Sequence, residues 1–180
     1  MKQYASDIAF IESVKAIQTR HGSRGSYAKV EKNGWPDRIT AELAGFISER
    51  DSFYLATVNS EGQPYIQHRG GEKGFLKVLD EYTLGFADFR GNRQYISYGN
   101  LEENNKVCLF LMDYPNRTRI KIWGAAKVIE DDQELINTLS ISGYKAKPER
   151  AFIIRIETWD KNCPQHINQR YTLAEIAELN

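Results

Sequence analysis

The sequence predicts a mainly β fold of the α+β kind, with antiparallel strands curled into a closed or partly closed barrel and helices at its periphery. Three observations predict it. Apolar runs of strand length come in adjacent pairs, compact turn signals join the members of each pair, and no helical crossover separates them. The last point disfavours a parallel βαβ sheet. At 180 residues, 41% hydrophobic and 27% charged, the chain suits one ordered domain with a full core and is short for two. It divides into an N-terminal helix and connector (1–38), a barrel core (40–158) and a closing loop and helix (159–180).

In chain order, residues 7–20 place Phe10, Val14 and Ile17 at i, i+4 and i+7, the apolar stripe of an amphipathic helix. HGSRGS at 21–26 breaks it, and residues 27–38, with Gly34 and Pro36, read as an irregular connector. Thr40 is a good N-cap for a second helix that buries Leu43, Phe46 and Ile47. From residue 52 the period shortens. Residues 52–58 and 63–69 flank the turn signal NSEG, 74–80 and 82–88 turn at Asp80-Glu81, and 106–113 and 117–130 turn through YPNR, giving three hairpins. A short helix over about 92–99 ends at Gly99-Asn100. Residues 132–140 read as helix, 150–158 as a last strand, 159–171 as loop, and 172–179 as a helix capped by Thr172. No internal repeat or low-complexity segment interrupts the chain.

Composition removes several function classes. Lys plus Arg and Asp plus Glu both number 24, and this zero net charge argues against a nucleic-acid partner, while leaving room for a small anion held by a few local charges. The opening MKQYASDIAF lacks the apolar run of a signal peptide, and no segment approaches membrane-spanning length, so a cytoplasmic protein with no membrane partner is expected. Two cysteines, Cys108 and Cys163, cannot cage a metal, and the three histidines are scattered, so no metal is expected. The chain has no GxGxxG or GxxxxGK[ST] run. Ten Tyr, eight Phe and three Trp serve equally a β core and a pocket for a flat ligand.

Four stretches carry candidate chemistry. In ADFRGNRQYIS (87–97) a strand gives way to a helix beside Arg90 and Arg93, with Gly91 allowing close backbone approach. Unpaired N–H groups at a helix start together with two guanidiniums make an anion seat, and an ordinary capped turn looks the same. In YIQHRGGEKGF (65–75) strand alternation places Gln67 and Arg69 on one face and His68 on the other, before Gly70 and Gly71. That end suits a flat ring or simply a polar turn. Arg119, Lys121 and Trp123 share one face of a strand, which fits a phosphate, an electron-rich ring or plain solvent. WDKNCPQHI (159–167) gathers Trp, Asn, Cys, Gln and His, and a Cys163–His166 nucleophile pair lacks an orienting partner there.

In order and spacing these stretches resemble the pyridoxamine 5′-phosphate oxidase family of FMN-binding proteins. The resemblance rests on SFYLATVNSEGQPYIQHR, TLGFADFRGNRQYISYGNLEENNKVCLFL and RIKIWGAAKVIE, from about Thr40 to Glu130. The flanks FIESVKAIQTRHGSRGSYA and WDKNCPQHINQRYT are similar to an uncharacterised bacterial branch. The resemblance implies a Greek-key split β-barrel that forms a homodimer, with FMN at the subunit interface. It assigns the FMN phosphate to Asn92, Arg93 and Gln94, with Asp88 on the preceding strand end. Gln67 stands where many members have a flavin-contacting arginine; His68, Arg69 and Gly70 follow, and Arg69 shares its face. Arg119 and Lys121 match the strand that a partner subunit contributes. Trp159, Asn162, Gln165 and His166 resemble the segment that covers the flavin ring. The implied function is an FMN-dependent oxidoreductase acting on a small molecule, with the flavin and no side chain as the reacting group. The alternative is a module that stores or senses flavin, haem or deazaflavin.

Overall fold

The structure, a computed structural model, describes residues 3–141, 143–162 and 164–178, with the backbone alone of Asn162. Seven antiparallel strands form one sheet: β1 (Ser52–Val58), β2 (Pro64–Gly70), β3 (Lys77–Asp80), β4 (Thr83–Phe89), β5 (Lys106–Asp113), β6 (Thr118–Ile129) and β7 (Pro148–Asn162). Their order is β2-β1-β5-β6-β7-β4-β3, so the hairpins expected from the sequence are present and two non-consecutive pairings, β1 with β5 and β4 with β7, curl them together. The fold is a split β-barrel. The seam lies between the edge strand β2 and the part of β4 that runs on beyond its short partner β3; they meet through side chains, and among the described residues no strand ladder joins them.

Period-two alternation builds the interior. On β5, Val107, Leu109 and Leu111 point inward while Cys108, Phe110 and Met112 line the outer face. Phe53, Phe75, Phe86 and Phe152 stack at the centre, with Phe86 and Phe152 4.9 Å apart and nearly parallel. Gly124 sits at a register shift between β6 and β7, where a Cβ would collide with the Arg155 carbonyl. Gly124→Ala is therefore expected to cost about 1–3 kcal/mol through overpacking, read from the urea unfolding midpoint.

Helices cover the ends: α1 (Glu12–Arg20), α2 (Arg24–Asn33), α3 (Ala41–Ser48), α4 (Ile96–Glu103), α5 (Gln133–Leu139) and α6 (Leu173–Glu178). The Thr40 and Thr172 caps form as expected, with each hydroxyl accepting from the backbone N–H three residues on. Four expectations are corrected. Residues 24–33 are helix, because Arg24 and Lys15 compensate the buried Glu31 carboxylate and hold α2 against α1. The apolar stripe of α1 is not its buried face: Ile17 stands half exposed while Gln18 is buried against Arg24. Its Phe10 lies in the turn before the helix, packed on Tyr27 and Trp35. Strand β7 continues through Trp159 to Asn162, because β6 is long enough to pair with it as far as Arg119. Finally, α4 spans Ile96–Glu103 rather than about 92–99: Gly99-Asn100 lies inside it and does not end it, and its late start has reasons that belong to the site.

The connector after α2 is pinned across the barrel. Trp35 stacks on Trp123 at 5.3 Å, Thr158 Oγ1 donates to the Pro36 carbonyl, and Trp159 Nε1 donates to the Arg38 carbonyl.

Candidate functional site

The split holds a cavity of about 230 Å³ between β2, β4, the start of β7 and α4. Alternation on β2 turns Gln67 and Arg69 toward it. Arg69 lies over the Phe152 ring at 4.9 Å, and its Nη1 donates to Asp88 Oδ1 at 2.5 Å. The β4–β7 ladder sets Arg150 directly opposite Asp88, with Arg150 Nε 3.9 Å from Asp88 Oδ2, beyond hydrogen-bond reach. Arg150 donates from Nη2 to Glu149 at 3.0 Å. Its guanidinium lies over the rings of Tyr95 and Tyr98. One carboxylate thus sits between two buried guanidiniums, and both arginine Nε groups are buried without a hydrogen-bond acceptor. Orphaned buried donors of this kind are costly, so their persistence calls for a reason.

Burial acts on both members of the central pair. It pushes the Asp88 carboxyl above its ordinary pKa against the pull of Arg69 and Arg150. It also lowers the Arg69 guanidinium from its usual value. For both groups desolvation outweighs the attraction of the partner.

The corner between β4 and α4 closes the cavity. The Asn92 side chain accepts from the Gln94 backbone N–H, so it caps its own turn instead of a helix. Arg93 and Tyr95 both adopt the left-handed conformation, φ 62° and 55°. These two residues interrupt any helical run, which is why α4 begins at Ile96. The first helical N–H groups consequently lie four residues beyond Asn92, so what the corner presents to the cavity is its side chains. Arg93 Nε donates to the Tyr95 hydroxyl at 3.1 Å, and this contact draws the Tyr95 phenol below its ordinary pKa. Ser97 donates to Gln67 Oε1 at 2.9 Å, tying α4 to β2.

Of the residues expected from the sequence, Gln67, Arg69, Asp88, Asn92 and Arg93 come together around this cavity. Gln94 adjoins it as the exposed member of the Asn92 turn. His68 faces the other side of β2, edge-on to Tyr54, and Gly70 ends the strand beside it. Arg119 and His166 line a second, larger cavity of about 580 Å³ on the outer face, floored by Ala56, Cys108, Phe110 and Met112. Burial raises the Cys108 thiol there to about 11, which keeps it protonated at neutral pH. Gln165 is exposed in the same loop as His166. Lys121 contacts neither cavity; it lies over Trp123 and 3.5 Å from Asp160. Trp159 is 5% exposed within the barrel core, its Nε1 donating to the Arg38 carbonyl. The Asn162 side chain and Cys163 fall outside the described residues.

Arg150, Glu149, Tyr95, Tyr98 and Ser97 also border the first cavity and were not singled out from the sequence. For Arg150 a signal existed. It shares the inward face of β7 with Phe152, Ile154 and Ile156, where a cation is out of place unless paired. For Tyr95 and Tyr98 there was none, because their position depends on where α4 starts.

Fold and cavity together define the class: a split barrel with an arginine-lined cavity at its open seam. The chain belongs to the pyridoxamine 5′-phosphate oxidase family, whose model matches residues 39–163. Among solved structures, a candidate pyridoxamine 5′-phosphate oxidase from Lactobacillus delbrueckii is 25% identical, with 69% of this chain and 95% of that one covered and a TM-score of 0.54. An FMN-binding protein from Syntrophomonas wolfei is 14% identical over 81% of this chain and 97% of that chain, TM-score 0.54. HupZ from Group A Streptococcus is 20% identical over 74% and 99%, TM-score 0.56. No curated protein matches the chain. Among the described residues no helix is long and apolar enough to cross a membrane, and no group of three or more His, Cys, Asp or Glu is placed to hold a metal ion.

Proposed function

We propose that the chain is an FMN-dependent oxidoreductase that holds the flavin phosphate in the split between β2 and β4 and works as a homodimer. The observation that carries this reading is the gathering of three guanidiniums, Arg69, Arg93 and Arg150, against two carboxylates, Asp88 and Glu149, around one cavity. A phosphate monoester brings the charge and the oxygens that such a lining favours. Asn92 and Gln67 border the same space. When bound, the flavin supplies hydride or electron transfer; the chain's residues bind, orient and shield it.

At about 230 Å³ the cavity falls short of the roughly 300–1,000 Å³ typical of a site enclosing a whole small ligand. It suits the phosphate end, and the tricyclic ring needs a further wall. The outer-face cavity offers one on a second copy: an apolar floor with Arg119 and His166 at its rim. The exposed Ile66 and Tyr54 beside it favour burial against that copy.

Purified protein is expected to carry flavin absorbance that survives desalting, or to acquire it when titrated with FMN. Arg93→Ala is expected to weaken FMN affinity roughly ten- to a hundredfold, as for loss of one charge-assisted hydrogen bond, measured by quenching of flavin fluorescence. An unchanged constant removes Arg93 from the site. Stoichiometric flavin that no donor reduces would leave a binding module, and a Soret band would replace flavin with haem.

A further inference from the structure

Helix α4 meets the sheet through a largely polar face. It packs on β1, β2 and β6, and the residues it buries, Ser97, Asn100 and Leu101, share one side of the helix. Ser97 is 1% exposed, and its hydroxyl donates to Gln67 Oε1 at 2.9 Å within the lining of the seam cavity. Three residues on, Asn100 Nδ2 donates to the buried Thr57 Oγ1, also at 2.9 Å. Neither Asn100 nor Thr57 belongs to that lining. We propose that these two are nonetheless positioning residues for its ligand: their hydrogen bond seats α4 so that Gln67 and Arg93, on opposite sides of the split, face the same molecule. The inference rests on the flavin reading above and adds to it a pair of residues that the ligand does not touch.

Three observations carry it. The attachment has two points. Leu55 stands opposite Gln67 on the β1–β2 ladder, so Thr57 is the diagonal neighbour of Gln67 on the same face. The helix is thus bonded to adjacent strands at residues three apart, about 4.5 Å along its axis, which fixes its rotation as well as its place. One bond alone would let it pivot. Next, the choice of residues favours direction over strength. Leucine or alanine would suit a buried helical face better than Ser97 and Asn100, whereas a satisfied buried polar pair specifies one arrangement. Finally, α4 governs ligand-facing groups on both sides of the split. The Ser97 bond occupies Gln67 Oε1, which leaves the amide Nε2 to serve a ligand. At the other side, the Gly99 N–H donates to the Tyr95 carbonyl and Arg93 Nε donates to the Tyr95 hydroxyl, so the Arg93 corner moves with the helix. A displaced α4 therefore disturbs a β2 donor and a cation beyond β4 together.

The test measures FMN affinity by flavin fluorescence, and stability without flavin by urea unfolding, on the full chain and three variants. Thr57→Val leaves the Asn100 amide buried without its acceptor; it is expected to lower stability and to weaken FMN binding roughly three- to tenfold. Thr57→Ser keeps the acceptor and should bind FMN within about twofold of the native chain. Thr57→Val with Asn100→Leu replaces both partners by apolar groups of similar shape, so its stability should return to the native level. Its FMN affinity should stay as weak as that of Thr57→Val, because apolar contact is non-directional and does not fix the rotation of the helix. Recovery of affinity together with stability in the double variant, or native affinity in Thr57→Val, would show that the pair only packs the fold; either result overturns the inference and spares the flavin reading. Failure of the native chain to bind FMN overturns both.

Discussion

Arg69→Ala is expected to abolish flavin binding and to cost about 3–5 kcal/mol of stability in the same stroke. The side chains of Arg69 and Asp88 are 13% and 15% exposed, so the mutation leaves a nearly buried carboxylate whose nearest remaining cation, Arg150, is 3.9 Å away. It also removes a guanidinium packed on the Phe152 and Phe86 rings. Replacing both charges by apolar groups of similar size, as in Arg69→Met with Asp88→Leu, is expected to restore stability to the native level or above it, because burial already disfavours both charges. The double variant should still bind no flavin. Chemical denaturation and a flavin titration on the three proteins check this. A double variant as unstable as the single one would mean that the pair is kept for folding, and the functional argument for it would fail.

Phe152→Ala carries the second large effect, about 3–5 kcal/mol for deletion of a fully buried aromatic side chain. Phe152 stacks on Phe86, carries the Arg69 guanidinium on its ring and lines the cavity at the seam. Loss of the ring therefore unseats the arginine as well as opening a void. Phe152→Leu refills most of the volume but offers no ring face to the guanidinium. It is expected to recover most of the stability while flavin affinity stays reduced. Thermal melting and flavin titration of the pair separate the two roles; equal recovery of both would show that Phe152 only fills space.

The sequence made the barrel legible because its strands obey two strong local rules, alternation and tight turns. NSEG places Asn59 to accept from the N–H groups of Glu61 and Gln63, and the hairpin follows. The cavity's first half was legible for the same reason: alternation alone put Gln67 and Arg69 on one face. What was not legible depends on long-range pairing. Arg150 meets Asp88 only because β4 and β7, far apart in the chain, become neighbours. Trp159 looks like part of a ligand-covering loop until β6 extends β7 past it and turns its indole into the core. The start of α4 was misplaced because helix propensity does not foresee two non-glycine residues in the left-handed region, Arg93 and Tyr95. Such residues persist where their surroundings impose them, and here both line the cavity at the seam.

The lips of the split touch through Arg69 and Asp88, and among the described residues no rung of main-chain hydrogen bonds crosses it. Neighbouring strands elsewhere in the sheet are laced by the backbone; across this seam, among the described residues, one ion pair is the clasp. On the proposed function, a phosphate lodged there would be a second fastener between β2 and β4.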